Sequence, residues 1–261
     1  MENSILTLEF ENKTVVLERG ELISYQVAGY EYIHQKGSPG WRSSDTEMFP
    51  IIGPTAAANF KVKTPKGSAI QDQHGLLREM NYELVSNTET NAIFQKTYKA
   101  NTRVKNSKYP TKSSEEYLSW PYDFKFQKKI NLHKNGLEIS FVISGEKGMP
   151  FMLGYHPAFK LYAKTPLLLA KDKEINLAEI LAVGSRAYQI KDCSEIILKD
   201  TKSIQLKTEG FGHFMAWTEV PNMVCVEPIS FYPYEVSEEN IDHGFQIMGN
   251  SDEVFKIHFI T

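Results

Sequence analysis

Apolar residues recur mostly at every second position along this chain. Leu6, Leu8 and Phe10 alternate with Thr7, Glu9 and Glu11. A period of two puts one set on each face of a strand. The Asn12-Lys13 pair then offers a tight turn into 14–17. Further along, Phe124, Phe126 and Ile130 alternate with Lys125, Gln127 and Lys129. Leu137, Ile139, Phe141 and Ile143 alternate with Glu138, Ser140 and Val142. Between these two runs lies His133-Lys134-Asn135-Gly136, a hairpin signal, because Asn-Gly readily takes positive φ. Further strands are predicted at 82–85, 92–98, 203–206, 223–226 and 254–260. Helical spacing is scarce, and 113–120 and 177–182 could each form a turn or two. Many short strands separated by turn signals predict an all-β fold, a large antiparallel β-sandwich with few short helices. No repeat, low-complexity segment or linker interrupts it, so residues 1–261 read as a single domain.

Composition narrows the function classes. The net charge of −3 gives no electrostatic footprint for nucleic acid. No stretch approaches the roughly 20 apolar residues of a membrane-spanning helix. Met1-Glu2-Asn3-Ser4 opens with an acidic residue and no long apolar run, so no secretory leader is expected and a cytoplasmic location is. The two cysteines, Cys193 and Cys225, match neither a metal spacing nor a disulfide framework, and buried free thiols are expected. There is no glycine-rich phosphate loop and no Gly-x-Ser-x-Gly elbow.

Polar chemistry collects where the alternation breaks. In Gly154-Tyr155-His156-Pro157-Ala158-Phe159, Pro157 has no N–H and pushes His156 toward an extended conformation. That aims the imidazole from a strand edge or bulge. Met48-Phe49-Pro50-Ile51-Ile52-Gly53-Pro54 is apolar with two prolines, and reads as one wall of a cavity rather than a central strand. Asp72-Gln73-His74-Gly75-Leu76-Leu77-Arg78-Glu79 is dense in groups that suit hydroxyls. In Val224-Cys225-Val226-Glu227-Pro228, a carboxylate ends an apolar strand and a proline stops the ladder. Apolar neighbours raise a carboxyl pKa, which suits a general base.

Two histidines and a glutamate permit either metal binding or metal-free acid–base chemistry. Cupin-type metal sites take two histidines from one strand as His-x-His, and no such pair occurs. His34, His133, His213, His243 and His258 are scattered, and read as structural or exposed. No metal and no cofactor are therefore expected. Thirteen tyrosines, fifteen phenylalanines and three tryptophans could supply flat faces for sugar C–H groups.

Taken together, the motifs resemble the aldose 1-epimerase (galactose mutarotase-like) family, near its LacX-like bacterial branch. Glu31-Tyr32-Ile33-His34-Gln35, Trp41 and the 48–53 segment are similar to its N-terminal signature. The 73–78 segment is similar to its His-Gly segment, and 122–124 through 149–159 is the nearest stretch. Trp217-Thr218 and the 225–228 segment complete the order. The resemblance implies a large antiparallel β-sandwich and cofactor-independent anomer interconversion of an aldose. Carried over by position, His156 would be the general acid and Glu227 the general base. His74 would bind the sugar, and Arg78 would contact it or support the site. The pair would start as imidazolium and carboxylate.

Two departures concern the substrate. Pro54 stands where the family commonly has an arginine that reaches the sugar, and Asn59 or Arg42 could substitute. Ile229 stands where the related branch often has tryptophan. Asp242 and Glu235 are candidates for an acidic sugar contact. Two rivals follow, a non-catalytic carbohydrate-binding protein on this fold and a phosphosugar epimerase. The second would need basic side chains at the mouth, from among Arg42, Lys61, Lys63, Arg78 and Arg103. The expected partner is a small sugar, with no nucleic acid and no membrane, for a monomer or homodimer.

Overall fold

Period-two patterning becomes antiparallel sheet throughout. In this computed structural model, which describes residues 5–261, every strand pair is antiparallel. A nine-stranded sheet runs in the spatial order Lys173–Asn176, Leu167–Ala170, Glu195–Lys199, Ile204–Glu209, Glu253–Ile260, Gly136–Gly145, Phe124–His133, Asn91–Tyr98, Glu83–Asn87. A six-stranded sheet runs Tyr188–Ile190, His213–Trp217, Met223–Ile229, Gly154–Tyr155, Glu47–Met48, with Ala158–Lys160 also paired to Met223–Ile229. A four-stranded meander covers Ile5 to Glu31. The helices are few and short: Leu177–Val183, whose first turn closes a capping box between Asn176 and Glu179, and three 3₁₀ segments.

The two large sheets pack face to face through rings. Phe141 meets Tyr155 at 5.0 Å and Phe259 meets Phe159 at 5.4 Å. One apolar cluster runs from Leu8 to Phe259, and both sheets contribute to it. This is the all-β antiparallel sandwich that the alternation predicts. No helix among the described residues is long and apolar enough to cross a membrane. The expectation on a leader, read from Met1 to Ser4, falls on residues outside those described.

Some local readings are corrected. Residues 113–120 form no helix; Tyr117–Leu118 pairs with Val104–Lys105 instead. The first turn is Glu11-Asn12, one residue earlier than expected, and Lys13 already pairs with Phe10. The 133–136 hairpin forms, but its turn residues are Lys134-Asn135, and Gly136 takes the positive φ of 133°. Strand Met223–Ile229 does not stop at Pro228. Met215 pairs with Glu227 and Phe214 with Pro228, so Glu227 lies inside the ladder.

Pro228 is tolerated there because the strand's other neighbour is broken. Two short pieces, Gly154–Tyr155 and Ala158–Lys160, pair with Met223–Ile229, and His156-Pro157 interrupts them. Two prolines that cannot donate thus face each other's broken stretch, where Val226 N–H still donates to Pro157 O at 3.4 Å. The break in the ladder at His156 is therefore real, but it is no bulge, since Gly154↔Ile229 and Ala158↔Cys225 keep one register and set His156 opposite Glu227; its backbone is caught from the far side. His156 N–H donates to Thr46 O at 2.8 Å, and Thr46 N–H donates to His156 O at 3.2 Å.

Candidate active site

A cavity of about 890 Å³ opens beside this break. His156 and Glu227 meet at its wall, with Nε2 and Oε1 3.3 Å apart. They come from different segments, the break at 156 and the strand Met223–Ile229. The contact is close but not aligned as a hydrogen bond. His156 Nδ1 and both Glu227 oxygens are buried without a partner. Buried polar groups are normally satisfied, and three orphan atoms on two neighbouring side chains mark a place that something else completes.

Burial sets the protonation of the pair. Glu227 is pushed well above the usual carboxyl range, because burial removes water and no donor replaces it. His156 is pushed down to about 3, by burial first and by the Arg78 guanidinium second. Burial thus pushes both groups toward their neutral forms, against the carboxylate and imidazolium that the resemblance implies. Charge–charge attraction at 3.3 Å does not outweigh the desolvation of two ions.

Flat rings bracket the imidazole. Trp41 lies against it at 4.3 Å between centroids and 36° between planes, and Trp217 lies at 6.2 Å. His74 is 6.0 Å away by the same measure and lines the same cavity. The 48–54 segment holds His74 in place. Phe49 N–H donates to His74 O, His74 N–H donates to Gly53 O, and Gly53 N–H donates to His74 Nδ1 at 3.3 Å. The Gln73 amide nitrogen lies 3.3 Å from Nε2 on the other side, so both ring nitrogens of His74 are engaged. Its pKa is pushed well down by burial, then by Arg78, His156 and Lys108, which keeps it neutral. Gly75 makes the turn beside it. Its φ is +78°, and a Cβ there would sit 2.2 Å from Phe49 O, so only glycine fits. Of the 48–54 segment only Pro54 lines the cavity; Met48, Phe49, Ile51 and Ile52 are fully buried. The segment is a buried support rather than a cavity wall.

Four of the five residues that the sequence singles out are brought together, namely His156, Glu227, His74 and Arg78. Asn59 is not. It is exposed at a positive φ of 53° and its N–H closes a turn onto Ala56 O. Arg42 is exposed and does not line the cavity either, so neither fills the place of the missing arginine. Asp242 and Glu235 also lie off the cavity, Glu235 being paired with Lys191 and Gln189. Ile229 is buried in the core.

The sequence reading missed Lys108, Lys112, Thr46, Glu219 and Tyr234, all of which line the cavity. No local pattern marks them, because they arrive from loops. Lys108 is bound to Asp72 at 2.8 Å. The side chains of Arg78 and Lys112 make no hydrogen bond or ion pair among the described residues. A free guanidinium at a cavity wall offers five donors to a ligand rich in oxygen. Arg103, Lys61 and Lys63 lie elsewhere, Arg103 stacking on Tyr117 at 4.0 Å. Both cysteines are free and buried, as expected.

A family model for aldose 1-epimerase matches residues 20–211. The match takes in His74, Arg78 and His156 and ends before Glu227. Solved structures of similar fold include a galactose mutarotase-like protein from Lactobacillus casei, 15% identical, with a TM-score of 0.80 over 98% of this chain and 99% of that one. A galactose mutarotase related enzyme from Lactobacillus acidophilus is 18% identical, with a TM-score of 0.70 over 98% and 97%. No curated protein matches.

Proposed function

Because the chain belongs to the aldose 1-epimerase family, we propose that it interconverts the α and β anomers of an aldose by metal-free acid–base catalysis. One observation carries this reading. Two buried, unpartnered, titratable groups lie 3.3 Å apart at a sugar-sized cavity. Opening a hemiacetal needs one group to take the proton of the anomeric hydroxyl and one to give a proton to the ring oxygen. Glu227 is the base and His156 the acid. Sugar hydroxyls that donate to Glu227 relieve the desolvation that keeps its proton on, and the proton passes to His156. The imidazole then protonates the ring oxygen as the carboxylate takes the anomeric proton. Rotation about C1–C2 and reversal of both transfers close the other anomer. His74 and Arg78 hold the substrate oxygens, and Trp41 and Trp217 supply flat faces.

Anomer exchange measured by NMR or polarimetry on a panel of aldoses tests this. The expected result is exchange well above the buffer blank for at least one sugar. Rates equal to the blank for every sugar would favour a binding protein instead. A second reading draws on the unpaired Arg78 and Lys112 beside Lys108. Three cations at one cavity suit a sugar with an anionic substituent, so the panel includes each aldose with a phosphate at its primary hydroxyl. A higher kcat/KM for the phosphorylated form would establish that reading, and preference for the free sugar would remove it.

The pH profile follows from the shifts. The pair has one proton above a pH of about 3, where His156 gives up a second, and below the raised pKa of Glu227. Activity is lost in acid when both groups are protonated, and lost in alkali when neither is. The expected kcat/KM is flat within about 2-fold from pH 6 to 8, where ordinary Glu and His pKa values would give a fall of roughly 25-fold. Such a fall, after the blank is subtracted, would show that burial does not tune the pair.

A further inference from the structure

Beneath the acid–base pair lies a third group that epimerisation does not use. Cys225 is two residues from Glu227 on the same strand and therefore on the same face. Its thiol is fully buried and does not itself line the cavity. The ligating atoms of His156, Cys225 and Glu227 all lie within 4.8 Å of one another. Both Glu227 oxygens are buried without a partner, and His156 Nε2 is the ring nitrogen that faces them, 3.3 Å from Oε1. The spacing is invisible to a search for sequence motifs, because the histidine comes from a neighbouring segment 69 residues away.

We propose that His156, Cys225 and Glu227 form a site for one thiophilic divalent cation of the Zn²⁺ class, whose occupancy blocks the acid–base pair. The donor set is of the right kind: an imidazole, a thiolate and a carboxylate suit Zn²⁺, and three protein ligands leave the fourth position open to the cavity. Size fits as well. Bonds of about 2.0–2.3 Å in a tetrahedron put ligands roughly 3.5 Å apart. His156 and Glu227 are already at 3.3 Å, and the thiol closes the remainder with a shift on the order of 1 Å.

Charge balance favours this occupant over other cations. On binding, the thiol and the carboxylic acid each release a proton to water, and the neutral imidazole donates a lone pair. The cation's two positive charges are then cancelled by one thiolate and one carboxylate, so the buried centre is neutral. A hard cation such as Mg²⁺ would find one carboxylate and no cage of oxygens. The bound cation holds both groups that move protons, so the epimerase stops while the metal is in place.

The test uses the full chain, stripped with a chelator and titrated with Co²⁺, then with Zn²⁺. One equivalent of Co²⁺ should produce tetrahedral visible bands and a near-ultraviolet thiolate-to-metal charge-transfer band, and Zn²⁺ should abolish both. The chain has only two cysteines, so Cys193→Ser should keep the charge-transfer band and Cys225→Ser should lose it. Metal-free Cys225→Ser should epimerise like the parent while inhibition by Zn²⁺ weakens at least tenfold. Absence of the band in the parent at millimolar Co²⁺, or its loss in Cys193→Ser, would overturn the site. Those two measurements stand even if Cys225→Ser does not fold. The occupancy needs no assumption about catalysis, because the spectrum is read without sugar. Only the inhibition rests on the proposed function, and an active enzyme with no band would sink the site alone.

Discussion

Glu227→Gln should lower anomer exchange by about 10²–10⁴-fold, the usual size of one general acid–base contribution. The amide keeps the shape and the neutral charge of the resting carboxylic acid, and loses only the ability to give up a proton. Because Glu227 is held protonated by burial with no hydrogen bond to lose, the variant should melt at the parent's temperature or slightly above it. KM should change little and kcat should carry the loss. His156→Asn should show a similar fall. The double variant should be only slightly worse than either single one, since two groups that pass one proton act as a unit. Polarimetry at matched protein concentration, with melting curves alongside, reads all three. Parent-like exchange in Glu227→Gln would remove the carboxyl from the chemistry, and a collapsed melting temperature would make it a structural residue.

Much of this arrangement was legible in the sequence. Alternation along 124–143 fixes the central hairpin, and Pro157 correctly marks His156 as lying outside a regular ladder. The carboxyl at 227 stands out because it interrupts an apolar run. What escaped were properties that depend on distant partners. The pull of burial on the pair was not legible, because attraction between two ions is apparent from their types while the absence of any donor to Glu227 is not. Strand Met223–Ile229 was ended early at Pro228, because the gap that tolerates it belongs to a neighbour more than 70 residues away in sequence. Asn59 was proposed for its position near the missing arginine, and a turn carries it out of the cavity. Nothing in the local pattern announces Lys108 or Lys112, whose loop reaches the site only in the folded chain.

The other large effect is expected far from any sugar. Lys128→Met should destabilise the protein by about 3–5 kcal/mol, the cost of leaving buried charge without its partner. Lys128 is fully buried in the middle of strand Phe124–His133, and its ammonium lies 2.5 Å from Asp45 and 2.9 Å from Glu47. Lys96 lies 3.8 Å from Glu47, so two ammonium groups balance two carboxylates. Tyr155 OH donates to Asp45 at 2.7 Å. The balance is incomplete even in the parent. Burial raises Asp45 to about 6 against the pull of Lys128, with Glu47 adding to the rise. Burial raises Glu47 too, but Lys128 and Lys96 together bring it below its ordinary value. Removing Lys128 leaves Lys96 alone against both acids, and both folded pKa values rise above their unfolded ones. Stability contributed by such groups is present at low pH and lost as pH rises through the folded pKa. The deficit of Lys128→Met should therefore be larger at pH 8 than at pH 5. Adding Asp45→Asn should recover part of it, since an amide can still accept from Tyr155. Catalysis should suffer as well, because Thr46, between the two carboxylates, holds the backbone of His156 through two hydrogen bonds. Denaturant melts at the two pH values, with exchange rates for the folded fraction, check this. A deficit that is the same at pH 5 and pH 8 would mean that lost packing, not uncompensated charge, is what Lys128 prevents.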